Sequence, residues 1–191
     1  GLARVAFRPS GNCTLIRNVQ GANVEGRTET QTWPNLVNCR FLGNGPGSGG
    51  YGGGLSVIGS MGNPGLLNCE FAGNYTSIAG AGVTVSGGLA WLRDCSIVNN
   101  SADGNAGVAA FSGSQVSLRN CIVWYNGIGN YGSSVDVQYS CKQNGYPGTG
   151  NISSDPLFVR MPNPGADGSW GTADDDYGDL RLLNGSRCLD A

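Results

Sequence analysis

The chain has 191 residues, 34 of them glycine, with 11 basic and 13 acidic side chains, a net charge of -2 and no histidine. Glycine at this density argues against long helices, since each interior glycine costs roughly 0.5–1 kcal/mol relative to alanine. Singly scattered arginines argue against nucleic acid as a partner, and the lack of histidine removes Ser-His-Asp and Cys-His hydrolysis and histidine-bound zinc. No run of about 18 apolar residues is present to insert into a membrane, and residues 1–20 lack the basic start and apolar stretch of a signal peptide.

In chain order, one short pattern recurs: NCTLIRN from Asn12, NCRFLGN from Asn38, NCEFAGN from Asn68, DCSIVNN from Asp94 and NCIVWYN from Asn120. Its cysteines, Cys13, Cys39, Cys69, Cys95 and Cys121, are separated by 26, 30, 26 and 26 residues. Two residues after each stands an apolar side chain (Leu15, Phe41, Phe71, Ile97, Val123), and the residue between varies freely. That is strand alternation, with cysteine and apolar residue inward. Leu36, Leu66, Leu92 and Leu118 lie three residues before their cysteines. The odd offset makes each Asn-Cys step a bend between two inward-facing segments. Asn18, Asn44, Asn74, Asn100 and Asn126 each follow five residues after the cysteine. Asparagine there suits a turn with left-handed backbone, and one per turn of the chain would stack into a ladder.

Glycine-rich stretches such as GGYGGGLSVIG, GAGVTVSGG and GNAGVAAFSG lead into further short apolar strands. A 26-residue unit of this kind cannot bury its own apolar face, but it can stack on the next at about 4.8 Å per rung. The predicted fold is all-β, a single-stranded right-handed parallel β-helix of about five to six rungs. The 30-residue period implies a four-residue insertion at GPGSGG or GSMGNPG. Rungs are expected over residues 1–134, with 135–191 forming the last rung and an irregular C-terminal cap of the same domain.

Within 135–191, YSC with GYPGTGNI, then DPLF, then GTADDD with DLRL, and finally SRCLDA, stand in a specific order. Together with the rungs they resemble the choice-of-anchor Q proteins, bacterial right-handed β-helix proteins that close with a DPLF segment, a D-Y-R-L strand and S-P-C-I-D-A-G. The resemblance implies an exported, surface-associated protein, and for most members no established reaction. Two departures stand out: the chain stops at Ala191 with no sorting anchor, and Arg187 replaces the usual proline.

The five ladder cysteines read as buried free thiols, because side chains at one ladder position run parallel rather than toward each other. Cys141 and Cys188 are expected to belong to no rung and lie in the cap motifs. A disulfide between them would pin the cap, with two free thiols as the alternative.

Glycoside hydrolysis needs converging carboxylates, and the rungs offer few: Glu70, Asp94, Asp103 and Asp136. Glu70 and Asp94 fall on consecutive rungs, and Asp94 occupies a slot filled by asparagine in the other copies. No catalytic residue is assigned. Arg93 and Arg119 recur one rung apart as candidates to greet an acidic sugar, or as a solvated face. In DGSWGTADDD, Asp167, Asp174, Asp175 and Asp176 supply oxygens enough for calcium, or form a solvated acidic loop. The sequons NYT at Asn74 and NIS at Asn151 matter only in a glycosylating host.

These observations lead to an expected non-catalytic, secreted or cell-surface scaffold or adhesion module contacting carbohydrate. The alternatives are a lyase or hydrolase acting on an acidic polysaccharide, and a self-assembling extracellular protein whose first rung is left open for association.

Overall fold

The computed structural model describes residues 12–18, 21–25, 34–46, 51–59, 63–104 and 107–189. Each repeat lays down three short strands, and strands of like position pair in parallel with those of the next repeat. Sheet I holds Ala22–Glu25, Leu55–Ile58, Val83–Ser86, Val108–Phe111 and Ile128–Tyr131. Sheet II holds Asn35–Val37, Gly65–Leu67, Leu89–Arg93, Gln115–Arg119 and Ser134–Gln138. Sheet III holds Thr14–Ile16, Arg40–Leu42, Glu70–Ala72, Ser96–Val98, Ile122–Trp124 and Cys141–Lys142. The chain visits sheets III, I and II in turn and then climbs one rung, which is the right-handed parallel β-helix that the repeat implies. The open first rung expected at the start concerns residues 1–11, which lie outside the described residues.

Alternation fills the interior. Phe41 and Phe71 are fully buried and stack with ring centroids 4.6 Å apart and planes 2° from parallel. Leu36, Leu66, Leu92 and Leu118 form a second column, and Cys39, Cys69, Cys95 and Cys121 a third. The thiols donate to carbonyls of their own turn and of the preceding one, as Cys95 does to Arg93 O at 3.2 Å and Leu66 O at 3.7 Å.

Asn12, Asn38, Asn68, Asp94 and Asn120 make the bend between sheets II and III with φ from 51° to 61°. Left-handed backbone costs an ordinary residue about 1–2 kcal/mol, and Asn and Asp less. The asparagines five residues after each cysteine do not take this role, contrary to the sequence expectation; the left-handed residues there are Arg17, Gly43, Gly73, Asn99 and Tyr125, one position earlier. Their neighbours are turned inward instead. Asn74 is fully buried; it accepts from Asn44 N and Nδ2 and donates to Asn100 Oδ1 and Phe41 O, all at 2.8–3.0 Å. A buried amide with all its bonds made pays little of the desolvation cost that an unpaired one would.

The insertion is divided between both candidate loops. Leu42 pairs with Ala72, 30 residues on; Leu55 with Val83, 28 on; Gly65 with Trp91, 26 on. Two residues are therefore added before sheet I and two after it. Residues 47–50 and 60–62 of these loops lie outside the described residues.

The sixth turn departs from the pattern by one residue. Ile122 pairs with Cys141 and Val123 with Lys142, so Ser140 takes the ladder slot of Cys121 and Tyr139, at φ 49°, makes the bend. Cys141 therefore does belong to a rung, but a shift of one residue turns it to the outer face. Lys142 takes the inward slot instead. It is largely buried, its ammonium donates to Gln143 O, and burial lowers its pKa. Its stem and Tyr146 close this end of the core.

Beyond Ile152 the chain does not plug the end but runs back lengthwise over the outer face of sheet III. Phe158, Met161, Leu180 and Leu182 cover Val98, Ile122, Trp124 and Cys141, forming a second apolar cluster. Phe158–Arg160 and Asp179–Leu182 pair antiparallel within this tail. Further along, Asn99 Nδ2 donates to Pro162 O at 2.9 Å and Arg17 Nη1 to Thr172 O at 3.0 Å. Gly43 and Gly73, at φ 58° and 63°, lie under tail aromatics. A Cβ on them would stand 2.1 Å from the Tyr177 hydroxyl and 2.4 Å from the Trp170 ring. Glycine there meets both the backbone and the steric demand.

Candidate functional site

The tail creates a groove that the solenoid alone lacks. Where it passes the bend between sheets II and III, a cavity of about 600 Å³ opens between the two. The solenoid wall is built from bend and outward positions: Asn38, Asn68 and Asp94 at the bend, Arg40, Glu70 and Ser96 on sheet III. Arg160, Asp179 and Arg181 form the opposite wall. Three guanidinium groups, three carboxylates and two asparagine amides thus line the groove.

Register explains the solenoid wall. Arg40, Glu70 and Ser96 are the freely varying residues after the cysteines, stacked one rung apart. Arg40 binds Glu70 through two hydrogen bonds, Nε at 2.8 Å and Nη2 at 3.1 Å. The bend residues form an outer ladder of their own, with Asn68 Nδ2 donating to Asn38 Oδ1 at 2.8 Å and Asn120 Nδ2 to Asp94 Oδ1 at 3.2 Å. Asp94 keeps the acceptor that its asparagine counterparts supply, so its place is structural as well as lining the groove.

On the tail wall Arg160 holds Asp176 through Nε at 2.6 Å and Nη2 at 3.0 Å, and Arg181 grips Asp179 through Nε and Nη2. The Arg181 guanidinium holds the Asp179 carboxyl down to about 2, and Arg160 with the Gly178 amide lowers Asp176. Glu70 and Asp94, on consecutive rungs, do come to one groove with Asp179. Asp136 lies apart from it, on sheet II, paired with Arg119.

The arginine pair on sheet II is in register, Arg93 opposite Arg119, but neither lines the groove. Arg119 is committed to Asp136 and to the Leu118 and Asp136 carbonyls; Arg93 is exposed.

In the acidic tail loop the candidate calcium ligands Asp167, Asp174, Asp175 and Asp176 are engaged locally. Among the described residues no three or more Cys, Asp or Glu side chains are grouped as a metal would require. The carboxylates face their own backbone instead. Asp174 accepts from the Thr172 hydroxyl and the Ala166 and Asp167 amides, which lower its pKa. Asp175 accepts from the Gly171 and Thr172 amides and the Tyr177 hydroxyl, Asp176 binds Arg160, and Asp167 caps Ser169 N. These are turn-forming Asp roles. Neither sequon offers a free amide: Asn74 lies in the buried ladder, and Asn151 Nδ2 donates to Val137 O and Tyr146 O. Cys141 and Cys188 are both thiols in this structure, and the tail brings them to one cluster.

Sequence reasoning missed the groove because its second wall depends on where the tail returns, for which the repeat carries no signal. It also missed an aromatic patch on the outside of sheet I. Phe111 and Tyr131 are register partners and stack at 4.6 Å, and Tyr51 meets Phe111 edge-on at 5.5 Å. Tyr51 and Tyr131 are each about 40% exposed. The signal available was the shared strand position of Phe111 and Tyr131.

A family model described as the right handed beta helix region matches residues 20–151. The chain belongs to the right-handed β-helix family. Neither the curated proteins nor the solved structures contain a match to it. The family match ends at residue 151, before the tail, so the tail wall of the groove lies outside the matched region.

Proposed function

We propose that this β-helix chain is a non-catalytic module of an exported, cell-surface or extracellular protein, a scaffold or adhesion domain that contacts carbohydrate in the groove between bend ladder and tail. The groove itself carries this reading. Amides, guanidinium groups and carboxylates along one lateral channel suit a hydroxyl-rich or partly acidic chain, and equal numbers of arginines and acids suit recognition through paired hydrogen bonds rather than net charge. The pairing also supports binding over hydrolysis. A general acid needs a raised pKa, whereas Asp179 is held low by Arg181. The order of tail motifs that resembles the choice-of-anchor Q proteins supports export.

A glycan array probed with the folded protein tests this. Binding is expected, falling about tenfold or more in Arg40→Ala and Arg181→Ala and unchanged in Arg93→Ala, which lies outside the groove. Binding lost instead in Tyr51→Ala and Tyr131→Ala would move the site to the aromatic patch, and binding to no glycan would leave a scaffold alone.

The convergence of Glu70, Asp94 and Asp179 keeps one second reading in play, a lyase or hydrolase acting on an acidic polysaccharide. Release of reducing ends or unsaturated sugar from a bound glycan, abolished by Glu70→Gln, would establish it.

A further inference from the structure

We infer that Cys141 and Cys188 form a redox-dependent clasp, a disulfide that fastens the returning tail to the last rung and fixes the tail wall of the groove. The placement of the two thiols carries this. Cys141 is turned outward only because the sixth turn is one residue out of step with the ladder. Cys188, 47 residues later in sequence, comes back to the same spot. Both thiols donate to one acceptor, the Ser154 carbonyl, at 3.0 Å and 3.9 Å, and both sit in the apolar cluster under the tail. Cys121 lines the same small cavity of about 200 Å³, but its thiol points inward to Leu92 O and Arg119 O. The pairing is therefore specific for the two outer cysteines.

Everything the tail contributes to the groove, Arg160, Asp179 and Arg181, lies within the segment this bond would close. With a low-molecular-weight disulfide such as oxidised glutathione, Cys188, the more accessible thiol, attacks first as thiolate. One glutathione thiolate leaves and a mixed disulfide forms on Cys188. Cys141 then loses its proton to solvent, attacks Cys188 Sγ and expels the second glutathione. Two protein thiols are oxidised and one glutathione disulfide is reduced to two thiols. Burial and the neighbouring Cys188 raise the Cys141 pKa.

The test equilibrates the whole protein with oxidised glutathione and with dithiothreitol, maps disulfides in a non-reduced digest and compares melting. The expected result is one bond, Cys141–Cys188, a mass two hydrogens lower and a Tm about 5–10 °C above the reduced form, with no such shift in Cys188→Ser. A bond through Cys121 or within the ladder, or no bond at equilibrium with the oxidant, would overturn the inference. These readouts need no ligand, so they stand or fall apart from glycan binding.

Discussion

Asn74 and Asn100 are joined twice. Both the backbone N–H and the side-chain amide of Asn74 donate to Oδ1 of Asn100, each at 2.9 Å. Asn100 in turn donates to Phe71 O at 3.0 Å and to Asn126 Oδ1 at 3.2 Å, so each member ties three turns together inside a core that water does not reach. Asn100→Ala strands two buried donors of Asn74 and the Phe71 carbonyl. The expected loss is about 3–5 kcal/mol, read as a lower denaturation midpoint. Asn100→Asp is expected to be no better, because its carboxylate would face the Phe71 and Asn126 oxygens. A midpoint within error of the wild type for either variant would show the ladder to be redundant.

The cysteine column is expected to tolerate serine. In the sixth turn Ser140 already fills that slot, donating to Gln138 O at 2.9 Å and accepting from Cys121 N at 3.0 Å. Cys95 donates to the equivalent carbonyl, that of Arg93, so Cys95→Ser keeps its partner and loses mainly apolar contact. A cost of about 1–2 kcal/mol is expected. Native protein should also shield the column from thiol reagents, since it is buried, and at its edge burial and Cys39 push the Cys13 thiol up to about 12. Rapid labelling of Cys69 or Cys95 in the folded state would contradict a purely structural role.

Acid should release the tail before it melts the solenoid. Asp174, Asp176 and Asp179 all titrate below their ordinary value when folded, through the Thr172 hydroxyl, Arg160 and Arg181 respectively. A carboxyl whose folded pKa is depressed contributes stability above its unfolded pKa and loses it as pH falls through the folded one. The window is therefore about pH 4 down to about pH 2. The buried asparagine ladder that ties the rungs together carries no titrating group. Trp170, packed on Gly73 and stacked with Tyr177 at 6.1 Å, reports the tail. Its fluorescence should shift across that window while the far-ultraviolet dichroism of the strands persists. Simultaneous loss of both signals would show tail and solenoid to be one cooperative unit.

The contrast between tail and solenoid also marks what the sequence could convey. A repeat writes its own contacts: the positions of Phe41 and Phe71 in successive copies place one ring on the other, and the Asn-Cys step gives the bend. The function of each asparagine was harder to read. Asn68 and Asn74 are the same residue type six positions apart, and only the direction of each side chain separates the left-handed bend from the buried ladder. The tail has no partner copy to align with. The meeting of Arg181 and Asp179 with Arg40 and Glu70 depends on a reversal near Ile152 and on antiparallel pairing of Phe158–Arg160 with Asp179–Leu182. Cys141 was misjudged for a related reason, since a one-residue slip in a single turn is invisible until the strand pairing is known.

Lys142 offers the sharpest test of how the solenoid ends. It holds the slot of Leu15, Phe41, Phe71, Ile97 and Val123 in the turn where no further rung follows. A lysine there covers apolar neighbours with its stem and can still reach a carbonyl with its ammonium. Burial lowers its folded pKa below 10.5, so the charged form is less favoured in the folded chain than in the unfolded one. The penalty is present at neutral pH and fades as pH rises from the folded toward the unfolded pKa. Lys142→Met, which keeps the stem and drops the charge, should therefore stabilise the protein at neutral pH, measured by denaturant titration. The gain should shrink near pH 10. Destabilisation by Lys142→Met would mean that the bond to Gln143 O outweighs burial of the charge, and that this end of the solenoid is held by its polar contact.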